Sequence, residues 1–86
     1  MKAKFHKTFA KQIGKHSPKV QTAFQKRLAL FLNNPFHKFL SNHALTGRWA
    51  GYRSINISGD LRAIYELLDE ETAFFVAFGT HSQLYG

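Results

Sequence analysis

The sequence predicts an α+β fold in which two N-terminal helices pack on one face of a small antiparallel sheet, in the order β-α-α-β-β-β. Three observations carry this reading. Apolar residues recur every three to four positions before Asn34, they alternate with a period of two after Trp49, and cap or turn residues bracket each change. A chain of 86 residues has room for one core, so residues 1–86 read as a single domain.

Residues 2–5, KAKF, read as a short edge strand that joins the sheet supplied by the later strands. From His6 to Lys15, Phe9 and Ile13 lie four apart on one face while Lys7, Lys11 and Lys15 keep that spacing on another. This is an amphipathic helix ending near Gly14. Ser17-Pro18 then supplies an N-cap followed by proline at the first helical position, where a missing N–H costs nothing. Val20, Ala23, Phe24, Leu28, Phe31 and Leu32 follow a helical period up to Asn33-Asn34-Pro35, a stop signal. Lys19, Lys26 and Arg27 stay on the polar side of this helix, as a solvated face or as a surface for a polyanion.

Residues 35–48 read as a loop with a helical turn around Phe36–Leu40, after which three strands follow. In WAGYRSINI, Ile55 and Ile57 face one way and Tyr52, Ser54 and Asn56 the other, giving one buried and one polar face. Ser58-Gly59-Asp60 is a turn, LRAIYELL is the next strand, and Asp69-Glu70-Glu71 turns into TAFFVAFGTH. There Phe74, Val76 and Phe78 alternate with Ala73, Phe75 and Ala77, so both faces are apolar and the strand should be central. With the helices on one side, the other sheet face is expected to be free.

Twelve Lys and Arg against five Asp and Glu give a net charge of +7, a field that attracts polyanions, nucleic acid first among them. The longest apolar runs, LALFL and AFFVAF, are too short to span a bilayer, so no membrane segment is expected. The N-terminal stretch is charged throughout, without the apolar run of a secretory signal, and the chain has no cysteine; both fit a cytoplasmic protein. Its aromatic residues, nine Phe among them, must supply a core that no disulfide supports.

The sequence contains no P-loop glycine run, no GxSxG and no HExxH, and its histidines at 6, 16, 37, 43 and 81 lack metal-ligand spacing. Neither a metal nor a cofactor is expected. What remains is His43 before the second strand, Asp60 in the following turn and His81 after the last strand. In antiparallel order the end of the last strand runs beside the Asp60 turn, so His81 and Asp60 share a rim and His43 reaches across from its loop. Taken alone, two such histidines are more often surface or structural residues.

Three separated motifs change that balance. HALTGRWAGYR, the ISGDLRAIYEL segment and the terminal GTHSQLYG resemble, in order and spacing, the YafQ branch of the RelE superfamily of bacterial toxins, whose pattern is roughly NHxLxGxWxGYR, PDW.LIY and GTHxxLF. The resemblance runs from Asn42 to the last residue and implies a RelE-like fold. It also implies a metal-independent endoribonuclease that cuts mRNA in the ribosomal A site, and an antitoxin that wraps the toxin and carries it to operator DNA. In that reaction the 2′-hydroxyl attacks the adjacent phosphate, which requires a base, an acid and cationic donors.

Carried across by resemblance, His43, Asp60 and His81 fall on family catalytic positions, and Tyr85 falls where the family has a terminal aromatic. His81 is implied as the proton-transfer group nearest the scissile phosphate, His43 as its partner, and Asp60 as the group that orients or tunes a histidine; which histidine is the base stays open. Arg62 sits where the wider superfamily often has a phosphate-stabilising arginine. Arg48 reads as a phosphate contact, and Trp49 as rim packing or a platform for an unpaired base. Arg53 shares parity with Ile55 and reads either as an RNA contact or as a structural group paired with Asp60 or a terminal carboxylate. One departure matters: the family's GYRDxHI has a histidine where GYRSINI has Asn56, which can donate a hydrogen bond but cannot exchange a proton near neutral pH. Two other readings therefore stand beside the nuclease. One is a non-catalytic binder resembling the gyrase-directed ParE branch, and the other a decayed toxin that binds only its antitoxin and operator DNA.

Overall fold

The computed structural model describes residues 1–85, and its order is β1 (Lys2–Phe5), α1 (Lys7–Gly14), α2 (Pro18–Asn33), β2 (His43–Ala44), β3 (Arg53–Ser58), β4 (Leu61–Asp69), β5 (Thr72–Thr80) and α3 (His81–Tyr85). Single 3-10 turns occupy Lys38–Leu40 and Gly47–Trp49. The expected caps are in place: the Ser17 hydroxyl accepts from the Val20 N–H at 3.4 Å, and Asn34 closes α2 with its backbone N–H on the Leu30 carbonyl at 2.8 Å. At α1 the cap is the His6 ring, whose Nδ1 accepts from the Thr8 N–H at 3.0 Å.

The five strands form one sheet in the order β1-β5-β4-β3-β2. β2, β3, β4 and β5 are antiparallel to their neighbours, but β1 lies parallel to β5, with Lys2 opposite Thr72 and Phe5 opposite Phe75. The expected antiparallel sheet is present in β2–β5, and the added first strand joins its edge in the parallel sense. β1 is separated from the meander by two helices, and no hairpin forces it to run against its neighbour. β5 is flanked on both sides, as its two apolar faces require. Beyond the end of β1, the Phe78 N–H of β5 donates instead to the Gln12 side chain of α1 at 2.8 Å.

Both helices pack on the sheet face that carries Ile55, Ile57, Ala63, Tyr65, Ala73, Phe75 and Phe78. Phe9, Phe24 and Phe31 from the helices complete the core, with ring centroids 5.0–5.5 Å apart in the Phe9–Phe24, Phe31–Tyr65 and Phe31–Phe75 pairs. Strict alternation along β5 fails. Tyr65 pairs with Phe75 but Ile64 with Ala77, so Val76 is an extra residue in a bulge, and Phe78 joins Phe75 on the helix face.

The opposite face is not free. Leu45, Trp49, Tyr52, Val76, Leu84 and Tyr85 pack on Ile64 and Ala77 there as a second, smaller cluster. The strand expected from Trp49 begins only at Arg53, because Gly47–Trp49 is a 3-10 turn folded over this face. The last strand likewise stops at Thr80 rather than His81. Thr80 and Gln83 exchange hydrogen bonds, Gln83 N–H to Thr80 Oγ1 at 3.2 Å and Thr80 N–H to Gln83 Oε1 at 2.8 Å, a capping box that starts α3. Among the described residues no helix is long and apolar enough to cross a membrane.

Candidate active site

A cleft of about 850 Å³ opens on the sheet face away from α1 and α2, lined by residues 43–49 together with Arg62, His81 and Tyr85. His43 enters it from β2, a two-residue strand pinned by pairing His43 with Ser54 and Ala44 with Arg53. Just before it, Ser41 adopts φ 46°, the left-handed region that few non-glycine residues occupy. In that conformation its carbonyl lies 2.8 Å from His43 Nδ1. A carbonyl oxygen only accepts, so Nδ1 is the donor in this contact, and in the neutral imidazole the lone pair is then on Nε2.

The loop behind His43 is tied to the sheet by Asn42. Its side-chain amide donates to the Pro35 carbonyl at 2.8 Å and to the Tyr65 hydroxyl at 2.7 Å, and its oxygen accepts from Arg53 Nε at 2.8 Å. Burial pushes the Tyr65 phenol above its ordinary pKa, and the Asn42 hydrogen bond and the Arg53 charge pull it partly back. Arg53 is thus a structural residue behind the cleft, with its guanidinium 5.2 Å from the Phe36 ring centroid. Its partners are Asn42 and Phe36 rather than Asp60, which stands beside Arg62 instead, and the terminal carboxylate lies outside the described residues. Its parity with Ile55 turns it to the helix side of the sheet.

His81 stands at the start of α3, its ring edge-on to Tyr85 with centroids 4.7 Å apart. Both ends of this short helix are held. At the start, besides the capping box, the His81 backbone N–H donates to Asp60 Oδ2 at 3.3 Å; at the end, Arg48 Nη2 and Trp49 Nε1 both donate to the Leu84 carbonyl, at 2.6 and 3.0 Å. Gly79 lies beneath Gln83: a Cβ there would stand 2.8 Å from Gln83 Oε1 and push the end of that side chain off the Thr80 N–H. Asp60 therefore meets His81 as expected, but at the backbone rather than the ring, and its carboxylate is not among the groups lining the cleft. It also stands 4.0 Å from Arg62 Nη2.

Arg62 lines the cleft with a buried Nε that has no partner among the described residues, and the buried Tyr85 hydroxyl is in the same state. Asn56 is the cross-strand partner of Arg62, so the position where the family pattern has a histidine adjoins the cation of the cleft. Lys19, Lys26 and Arg27 are not at this site. Lys19 and Lys26 border a shallow groove on α2, and Arg27 donates to the Phe39 carbonyl at 3.1 Å. Because α2 covers the Ile55 face and the cleft lies on the Ile64 face, the sheet separates these cations from His43 and His81. The sequence reading missed Ser41 and Gln83. A Thr80-x-x-Gln83 capping box is a recognisable signal; nothing in the sequence marks Ser41.

The chain matches, over residues 1–86, the family described as "Bacterial toxin of type II toxin-antitoxin system, YafQ". It is 34% identical over 92 residues to a Haemophilus influenzae protein carrying the YafQ toxin name, covering 96% of this chain and 90% of that one. Its fold matches the crystal structure of YafQ from Escherichia coli BL21(DE3) with a TM-score of 0.79 at 24% identity, over 98% of this chain and 97% of that one. The E. coli DinJ-YafQ toxin-antitoxin complex matches with the same TM-score and identity, over 98% and 96% of the two chains. The isolated E. coli RelE toxin matches with a TM-score of 0.70 at 23% identity, over 92% of this chain and 82% of that one. With the RelE-like α+β architecture and a profile match along its whole length, the chain belongs to the YafQ family of bacterial toxins of type II toxin-antitoxin systems.

Proposed function

We propose that this toxin is a ribosome-dependent mRNA endoribonuclease and that the cleft between His43 and His81 is its active site. The observation that carries the reading is the convergence of both histidines with Arg48, Arg62 and Tyr85 on one cleft, with His43 Nδ1 already committed to the Ser41 carbonyl. His43 is the base: Nε2 takes the 2′-hydroxyl proton, and the Ser41 carbonyl stabilises the imidazolium that results. The 2′-oxygen attacks phosphorus, the P–O5′ bond breaks, and His81 delivers a proton to the leaving 5′-oxygen. Arg62, whose side chain lines the cleft, stabilises charge on the phosphoryl oxygens, and Tyr85 packs edge-on against the His81 ring and orients it. Arg48 and Trp49 hold α3, and Asp60 holds the backbone at His81, so these three act by positioning.

Work on ribosomes implies a cytoplasmic protein acting through one domain, residues 1–86. The E. coli YafQ relative is found in complex with DinJ, which supports a cognate antitoxin for this chain too; contact with operator DNA, made through that antitoxin, belongs to the same proposal. The test is primer extension on mRNA engaged with ribosomes, with wild type, His81→Ala and a ribosome-free control. Cuts that need ribosomes and vanish in His81→Ala are expected. A folded wild type that never cuts would sink the nuclease reading as it stands. Cleavage restored by Asn56→His would then favour a decayed toxin whose lesion adjoins Arg62.

A further inference from the structure

The segment Pro35–Leu40 exposes two aromatic rings, Phe36 at 66% and Phe39 at 59%. Large exposed apolar groups are ordinary when scattered, but these two stand on one short turn that the protein holds in shape. The Asn34 side chain accepts from the Phe36 N–H at 3.2 Å, the His37 ring accepts from the Phe39 N–H at 3.1 Å, and Asn42 grips the Pro35 carbonyl. Cations surround the rings. Arg53 stands 5.2 Å from the Phe36 centroid, and Arg27 and Lys38 stand 5.6 and 5.8 Å from the Phe39 centroid. Among the described residues none of the three has a carboxylate within 4.0 Å, so the patch keeps its positive charge.

We propose that Phe36 and Phe39 form a second RNA-binding element, outside the cleft, on which unpaired bases stack while Lys38 and Arg27 meet the phosphates. Rings that stay more than half exposed, each with an unneutralised cation over it, match a partner that alternates flat bases with negative charge, which describes single-stranded RNA. A purely apolar partner would leave the cations unmatched, and a purely acidic one would leave the rings exposed. Position agrees as well: Phe39 is four residues before His43, so the two lie within about 14 Å. Because His43 is on β2, the edge strand of the sheet, a strand seated in the cleft would pass round that edge to reach the platform on the other side. The inference rests on the nuclease reading for the identity of the strand in the cleft, but its test does not use cleavage.

Binding of a short, unstructured, fluorescein-labelled oligoribonucleotide would be followed by anisotropy over a range of salt concentrations, without ribosomes. Phe36→Ser with Phe39→Ser should weaken binding about tenfold or more and leave the slope of log affinity against log salt unchanged. Phe36→Tyr with Phe39→Tyr should retain wild-type affinity, and Lys38→Ala should reduce the salt slope by about 0.7. Both rings are exposed, so the melting temperature should hold in every variant. Wild-type affinity in the double Ser variant overturns the proposal, as does equal weakening in the double Tyr variant. A double Ser variant that binds RNA normally but loses the co-encoded antitoxin also overturns it, in favour of a protein-docking surface. A wild type that binds through these rings yet never cuts would leave the platform standing and remove the nuclease.

Discussion

On the helix face of the sheet, Phe9, Phe24, Phe31, Phe75 and Phe78 interlock with Tyr65 in a buried core; on the cleft face, a smaller cluster around Ile64, Ala77 and Leu84 leaves His43 and His81 exposed. The first face is held by area, since each large ring removes apolar surface from water and touches several others. The second is held by a few directional bonds: Asn42 to Pro35 and Tyr65, Arg48 and Trp49 to Leu84, and Thr80 to Gln83. Apolar packing tolerates substitution of shape, whereas a histidine that exchanges protons must sit within hydrogen-bond reach of its target. Stability and precision are thus assigned to opposite sides of five strands.

The sharpest break of this comparison sets one residue from each face side by side. Phe75→Ala should cost about 3–5 kcal/mol, read by denaturant titration, because it opens a cavity among five rings. His81→Ala should change stability by no more than about 0.5 kcal/mol yet remove about 10²–10⁴ of the proposed cleavage rate. A large stability loss in His81→Ala would show that the cleft is part of the core after all.

Smaller effects sharpen the role of the directional bonds. Trp49→Phe keeps an aromatic ring against Tyr52 but deletes one of two donors to the Leu84 carbonyl. It should cost about 0.5–1.5 kcal/mol, speed amide exchange in α3, and lower kcat with KM nearly unchanged. A rise in KM alone would mean that Trp49 stacks on the substrate. Tyr65 carries a raised pKa, so its contribution is fully present below the unfolded value of about 10 and is lost as pH climbs through the higher folded value. Tyr65→Phe should remove that alkaline step in a pH series of melting curves, at about 0.5–1.5 kcal/mol cost near neutrality.

The smallest effect belongs to the β4–β5 turn. Asp69 is held below the usual carboxylate range, chiefly by the Glu71 N–H at 2.8 Å and then by the Thr72 hydroxyl at 3.2 Å. Its contribution is present above the unfolded pKa and lost as pH falls through the lower folded value. Asp69→Asn should flatten the acid limb of the stability profile and leave the alkaline limb and cleavage unchanged.

Much of this was legible residue by residue. Ser17-Pro18 starts α2 and Asn33-Asn34-Pro35 stops it because caps and breakers act on the backbone beside them. His43 and His81 stand out as candidates by residue type and by family pattern, and both line the cleft. Other features had no local cause. The Val76 bulge answers the register of β4, the parallel β1 answers a strand about 70 residues away, and the parity of Arg53 with Ile55 hints at a structural role without naming Asn42 and Phe36 as its partners. The sequence by itself determined α1, α2 and the three main strands of the meander, the limits of the two long helices and the residues able to move protons, since those follow from periodicity, capping and side-chain chemistry. Only the tertiary structure decided which cations share a face with the histidines, which nitrogen of His43 is free and which aromatic rings stay in water, because each depends on partners distant in the chain.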